Sequence, residues 1–236
     1  MKKRLAGLML AIAALLGVVA SGTSSAQLAD QGTTNYGSGV YPGPTTSVIQ
    51  DPGWASSSLK WGMVGDSITY RCAPELRAAF SAKGISLAIR ANSGADMDAI
   101  NTWLESLTYM PDHILVAGGT NNVFDPFSMK AEIVRTKAAI GLGTELVWVD
   151  TYVGRTATLA DDIRNSGQVN DAIHTAVPDD HVVDWLANLT STRGRGLAIS
   201  YYLQDGVHPW VSAGDGHGDG CANYAAVVMN TVTPLL

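Results

Sequence analysis

Of 236 residues, 46% are hydrophobic and 15% charged, the latter below the roughly 25% of an average globular protein, which excludes intrinsic disorder for the bulk of the chain. The length suits one medium domain and not two full ones. A net charge of −6 becomes −9 once Lys2, Lys3 and Arg4 are set aside, with 12 basic against 21 acidic residues. That balance opposes binding to nucleic acid or to an anionic membrane surface.

Residues 1–26 read as a secretory signal, with a basic start at Lys2-Lys3-Arg4, an apolar run from Leu5 to Ala20 and small residues up to Ala26. The run of 16 residues is shorter than the roughly 20 that a spanning helix needs. Cleavage after Ala26 and an exported, extracellular protein without stable membrane insertion are expected. Residues 27–58 are rich in Gly, Ser, Thr and Pro and are expected to form an extended arm. Tyr36, Tyr41 and Trp54 give that arm something to bury. A catalytic or binding domain is expected over 59–236.

Past the arm, short apolar runs alternate with longer helix-compatible segments, the order of a parallel sheet with crossover helices. Strands are expected at Lys60 to Val64, Ser86 to Arg90, His113 to Ala117, Glu145 to Val149 and His181 to Asp184. Helices are expected to begin near Ala73, Asp96, Asp125, Thr158 and Cys221. Together these predict an α/β chain, a three-layer α/β/α domain on a five-stranded parallel sheet of flavodoxin-like order.

Ligands of such sheets gather beyond the carboxyl ends of the strands. Strand one is followed there by Gly65-Asp66-Ser67, strand two by Asn92-Ser93-Gly94 and strand three by Gly118-Gly119-Thr120-Asn121-Asn122, with Asp205-Gly206-Val207-His208-Pro209 near the C-terminus. A serine after a strand often does no more than cap the next helix. As a nucleophile it needs an imidazole base oriented by a carboxylate, and Asp205 and His208, three apart in a turn, can supply both. The backbone N–H groups of Ser67 and Gly94 and the side-chain amide of Asn121 stand at three strand ends, where an oxyanion needs donors.

These blocks, in this order from about residue 60 to 233, resemble the SGNH or GDSL-like hydrolase superfamily. The resemblance implies Ser67 as nucleophile, His208 as base, Asp205 as its partner, and an oxyanion hole from Ser67, Gly94 and Asn121. It implies a secreted esterase or lipase that cleaves a small-molecule, glycan or lipid ester through an acyl-enzyme. With no long apolar lid segment, short-chain acyl or O-acetyl esters are favoured. An extracellular acyltransferase on the same triad and a non-catalytic glycan-binding module are the alternatives.

The chain departs from the family pattern at Asn122, where Asp is common, and in the Gly-rich stretch 214–220. That stretch matches no complete calcium loop and is read as a solvated flexible loop. His217 follows Asp215 but lacks the stiffening that Pro209 gives His208. His113, His174 and His181 have no Cys or carboxylate at ligand spacing along the chain, so no metal and no cofactor are expected. The α/β-hydrolase elbow would need Gly where Thr69 stands. If Ser67 and His208 meet, connectivity brings Cys72 and Cys221 together as a disulfide, consistent with export. A monomer is expected.

Overall fold

In the computed structural model, residues 45–194 and 196–236 are described; the expected leader 1–26 and the arm up to residue 44 lie outside them. Their elements are, in chain order, β1 (Val48–Gln50), β2 (Trp61–Gly65), α1 (Ser67–Ser81), β3 (Leu87–Asn92), α2 (Met97–Leu104), β4 (His113–Ala117), α3 (Met129–Ile140), β5 (Glu145–Val149), α4 (Leu159–Ala176), β6 (Val182–Val183), α5 (Trp185–Gly194) and α6 (Gly220–Val232). The sheet has six strands in the order β1-β3-β2-β4-β5-β6. Every neighbouring pair is parallel except β1 with β3. Setting β1 aside leaves the flavodoxin-like order. The chain reverses direction about β2, and the crevice beyond such a reversal is where ligands bind in open α/β sheets.

Alternation along each strand feeds two cores, one on each face. Met63, Ile89, Leu115 and Val147 pack with Cys72, Leu76, Phe80, Tyr224 and Val228, so α1 and α6 cover one face. Val64, Ile114, Val116 and Trp148 pack with Met97, Ile100, Ile133, Val169 and Ile173, so α2, α3 and α4 cover the other. Burial on both faces explains why the strands read as continuous apolar runs.

Three departures from the sequence reading have local physical causes. The sixth strand comes from the end of the expected arm, where β1 pairs its three residues with Arg90, Ala91 and Asn92. Just after it, Asp51 binds Arg77 at 2.7 Å and accepts from Ile89 N at 2.9 Å. Trp54, 4% exposed, meets Trp103 edge-on at 4.9 Å. A run of polar and turn-forming residues is thus fastened by contacts made far along the chain.

The helix expected near Ala73 begins at Ser67 and runs through Pro74. Proline removes one helical hydrogen bond, yet Ile68, Cys72, Leu76 and Phe80 recur every four residues and are all buried, which outweighs the local cost. The third departure is α5, for which no helix is expected. It buries Trp185 and Leu189, four residues apart, in the core, and its first turn is held by Asp150, which accepts from Leu186 N at 2.8 Å across 36 residues of sequence.

Cys72 and Cys221 form a disulfide joining α1 to α6 across 149 residues. Closing so long a loop restricts the unfolded chain. The Cys72→Ala/Cys221→Ala protein is expected to lose about 2–5 kcal/mol of stability, read as a lower urea midpoint with a steeper slope, because the unfolded chain without the crosslink exposes more surface.

Candidate active site

β2 ends at Gly65, and Asp66 caps the helix that follows by accepting from Ile68 N at 2.9 Å. Ser67 is therefore the first residue of α1, at the open end of the sheet. The second contribution arrives 141 residues later, where His208 Nε2 lies 2.9 Å from Ser67 Oγ. His208 Nδ1 is 2.8 Å from Asp205 Oδ2. The other oxygen of Asp205 accepts from His208 N at 2.8 Å and Val207 N at 3.0 Å, so the turn orients its own carboxylate. Gly206 makes this turn feasible. Its φ of +83° favours glycine, and a Cβ would lie 2.2 Å from the Gly154 carbonyl oxygen.

Burial works against a charge on Asp205, but the His208 ring and the two N–H groups outweigh it and hold the carboxyl well below the usual range. An ionised carboxylate only accepts. Nδ1 therefore carries the proton, and Nε2 is left as acceptor for the Ser67 hydroxyl.

Ser67 and His208 border a cavity of about 260 Å³ with Gly94 and Asn121 on its wall. Gly94 follows β3 with φ +78°, a left-handed turn that favours glycine. One N–H of the Asn121 amide donates to Ala95 O at 2.8 Å, which fixes the group and leaves its second N–H. Asn122, buried beside it, is used structurally: it accepts from Met97 N at 2.9 Å and donates to Ser128 Oγ at 3.3 Å.

The rest of the wall escaped the sequence reading. Val123, Phe124, Val153 and Val207 give it an apolar lining, and Arg155 borders it. Arg155 binds Asp162 through two nitrogens at 2.9 and 2.6 Å and lies 4.9 Å over the Phe124 ring. The one clue in sequence is position, since Val153 and Arg155 follow β5 at the same edge as the other blocks. A larger void of about 670 Å³ opens at the opposite ends of the strands, beside Lys60, Trp61, Ser86 and His113, away from Ser67.

The remaining histidines take other places. His217 stacks on Trp210 at 4.0 Å and shares reciprocal backbone hydrogen bonds with Gly214. Asp219 caps α6 by accepting from Ala222 N at 2.8 Å. The Gly-rich stretch is thus tied down at both ends. His181 bonds Glu145 and Asp180, each at 2.8 Å. Sequence spacing shows no carboxylates for His174, yet its ring and the carboxylates of Asp150 and Asp184 bring donor atoms within 4.8 Å of one another. One oxygen of this Asp150 carboxylate accepts from Leu186 N at 2.8 Å.

No protein-family model and no curated protein matches the chain. Solved structures do. It is similar to the C-terminal catalytic domain of a peptidoglycan O-acetyltransferase from Streptococcus pneumoniae, at 14% identity and TM-score 0.53 over 75% of this chain and 94% of that one. A member of the lipolytic G-D-S-L family from Veillonella parvula matches at 14% identity and TM-score 0.55, over 76% and 98% of the two chains. An acetylxylan esterase from Geobacillus stearothermophilus, in a catalytic mutant, matches at 15% identity and TM-score 0.55, over 74% and 94%.

Two buried carboxyls stand beneath this edge of the sheet. Burial pushes Asp66 up to about 6, partly offset by the Ile68 N–H, Thr120 and His208. Burial and then the like charge of Asp184 push Asp150 up to about 7. Because both folded values exceed the unfolded one near 3.8, the native state holds extra protons between them. Their stabilisation is full below the unfolded value and is lost as pH rises through about 6 and 7. The melting temperature is expected to fall between about pH 5 and pH 8, with a shallower slope in Asp150→Asn; an equal slope in both proteins refutes the assignment. Strand order, layer arrangement and these likenesses agree that the chain has the SGNH/GDSL hydrolase fold.

Proposed function

We propose that the protein is an exported serine hydrolase that cleaves short-chain acyl or O-acetyl esters through an acyl-enzyme. The observation that carries this reading is the continuous hydrogen-bonded series from Asp205 through His208 to Ser67 at the rim of an apolar cavity. In the first half-reaction Ser67 Oγ attacks the ester carbonyl carbon while His208 Nε2 takes the hydroxyl proton. Asp205 stabilises the imidazolium. The carbonyl oxygen becomes an oxyanion, received by the N–H groups of Ser67 and Gly94 and by the Asn121 amide.

Collapse of the tetrahedral intermediate expels the alcohol, which takes its proton from His208. Water then repeats the sequence on the acyl-enzyme and releases the acid. The apolar wall suits a small acyl group, and the similar fold of proteins named for acetyl transfer on peptidoglycan and for acetylxylan cleavage supports the short-chain choice. An alcohol or sugar in place of water would make the same site an acyltransferase. The leader-like residues 1–26 and the oxidised Cys72–Cys221 pair support export. Among the described residues, no helix is long and apolar enough to cross a membrane.

A chain-length series of nitrophenyl esters beside acetylated sugars is expected to give free acid, fastest with the shortest chains; acyl product on an added alcohol in excess of free acid would favour the transferase. Ser67→Ala should abolish turnover and fluorophosphonate labelling with the fold intact. Turnover above about 1% of the parent contradicts an acyl-enzyme on Ser67. An unlabelled parent protein would make it a non-catalytic module.

Asn121→Ala is expected to lower kcat about 100- to 1000-fold at nearly constant KM, and Asn122→Ala far less. The reverse order would shift the oxyanion donor by one residue. Asp205→Asn should slow the reaction, since the neutral amide neither orients the His208 ring nor stabilises the imidazolium formed during attack. An unchanged kcat/KM in that variant would remove Asp205 from the mechanism.

A further inference from the structure

A third, much smaller void lies beneath the ends of β2, β4 and β5. Asp66, Thr120, Asp150, Thr151, Trp185 and Tyr224 are on its wall, and its volume is about 10 Å³, the space of one water-sized probe. Two of these residues carry a buried polar atom without a hydrogen-bond partner, Asp66 Oδ2 and Trp185 Nε1. They are 0% and 1% exposed, so bulk solvent does not reach them. The other polar side chains of the wall are Thr120, whose hydroxyl also acts on the Asp66 carboxyl, Thr151, Asp150 and Tyr224. Thr120 and Thr151 bond each other at 2.9 Å, and Asp150 caps α5.

The two unmatched atoms are complementary. An indole N–H only donates, and a carboxylate oxygen accepts. Charge narrows the occupant further: a cation would face the Trp185 N–H, and an anion would face Asp66 and Asp150. A neutral species of one heavy atom that both donates and accepts satisfies every constraint. We propose that this void binds a single ordered water that accepts from Trp185 Nε1 and donates to Asp66 Oδ2, making Asp66 a positioning residue for Ser67.

Position follows from the other carboxylate oxygen. Asp66 Oδ1 accepts from Ile68 N at 2.9 Å, so the plane of this carboxyl sets the first turn of α1, in which Ser67 is the first residue. The Ile68 N–H and the Thr120 hydroxyl give this carboxyl its protein partners. Bridged at Oδ2 to Trp185, it is also pinned to α5, an element 118 residues further on than the turn. The charged groups nearest this carboxyl are His208, whose influence lowers its pKa, and Asp150 across the void. Burial raises the pKa of Asp66 above the usual carboxylate range, as expected of a carboxylate whose protein partners leave it incompletely solvated.

The water does not depend on Ser67 being the nucleophile; the positioning role does. Two measurements separate them. In the whole protein labelled with ¹⁵N-tryptophan, the Trp185 indole proton is expected to show cross-relaxation to a long-lived water, and a crystal structure at atomic resolution to show that water bonded to both atoms. Absence of the water signal, or an indole N–H bonded to a protein acceptor, overturns the site. For the role, Trp185→Phe keeps an aromatic ring and removes the donor, while Asp66→Asn keeps the cap oxygen and changes the Oδ2 side.

Each substitution is expected to lower kcat about 3- to 10-fold at constant KM in the folded protein, with fluorophosphonate labelling of Ser67 slowed in proportion. A lower melting temperature with unchanged kcat in both variants would overturn the positioning role. If Trp185→Phe does not fold, Asp66→Asn and the wild-type spectrum still decide. Failure of the Ser67 reading is distinct: Ser67→Ala would then remain active while the water signal persists.

Discussion

The short contact between Ser67 and His208 spans 141 residues, and much of the molecule can be understood as what makes that contact persist. A side-chain hydrogen bond contributes only about 1 kcal/mol net, far too little to bring two distant segments together. The approach is imposed by the packing of α1 against α6 over one face of the sheet, where Phe80, Leu76, Tyr224 and Val228 are fully or almost fully buried. The disulfide from Cys72 to Cys221 joins the same pair of helices close to Ser67 on one side and His208 on the other. Arg71, one turn along α1, also hydrogen-bonds Gln204, the residue preceding Asp205.

Local backbone chemistry refines what packing brings together. Each participating residue sits next to a feature that removes its freedom: Asp66 caps the turn of Ser67, Ala95 O takes one N–H of Asn121, and Asp205 accepts from the N–H of the histidine it orients. Such rigidity suits a reaction in which donors must already point where charge will develop. It also requires polar groups in the interior. Asp66 and Asp150 are almost completely buried under the strand ends, with the desolvation that raises both pKa values. This edge of the sheet therefore carries buried ionisable groups, and stability there depends on pH.

Much of this was legible in the sequence. Five strands, the alternation with helices and the residues after the strand ends could be read because apolar runs and Gly, Asp or Asn punctuation are local properties of the chain. The disulfide partners followed from connectivity, once the resemblance had placed Ser67 beside His208. Local signals failed where a distant group supplied the stabilisation. β1 exists because β3 offers an open edge, α1 runs through Pro74 because its buried stripe holds it, and α5 begins where Asp150 caps it.

Sequence by itself determined the fold class and the identity of Ser67, Gly94, Asn121, Asp205 and His208 as candidates, because hydrophobic periodicity and residue type are fixed along the chain. It could not determine the shape of the cavity. Val123, Phe124, Val153 and Val207 are ordinary apolar residues until the loops after β4 and β5 and the His208 turn meet around one space. The block that the sequence matches assigned the donor to Asn121 over Asn122, but what each side chain reaches is set by the fold: Ala95 O and the cavity for one, Met97 N and Ser128 for the other. The unmatched Asp66 and Trp185 atoms are of the same kind, since burial and the lack of a partner are properties of a neighbourhood. Only tertiary structure decides these, because they depend on distances between segments whose separation along the chain carries no information about their separation in space.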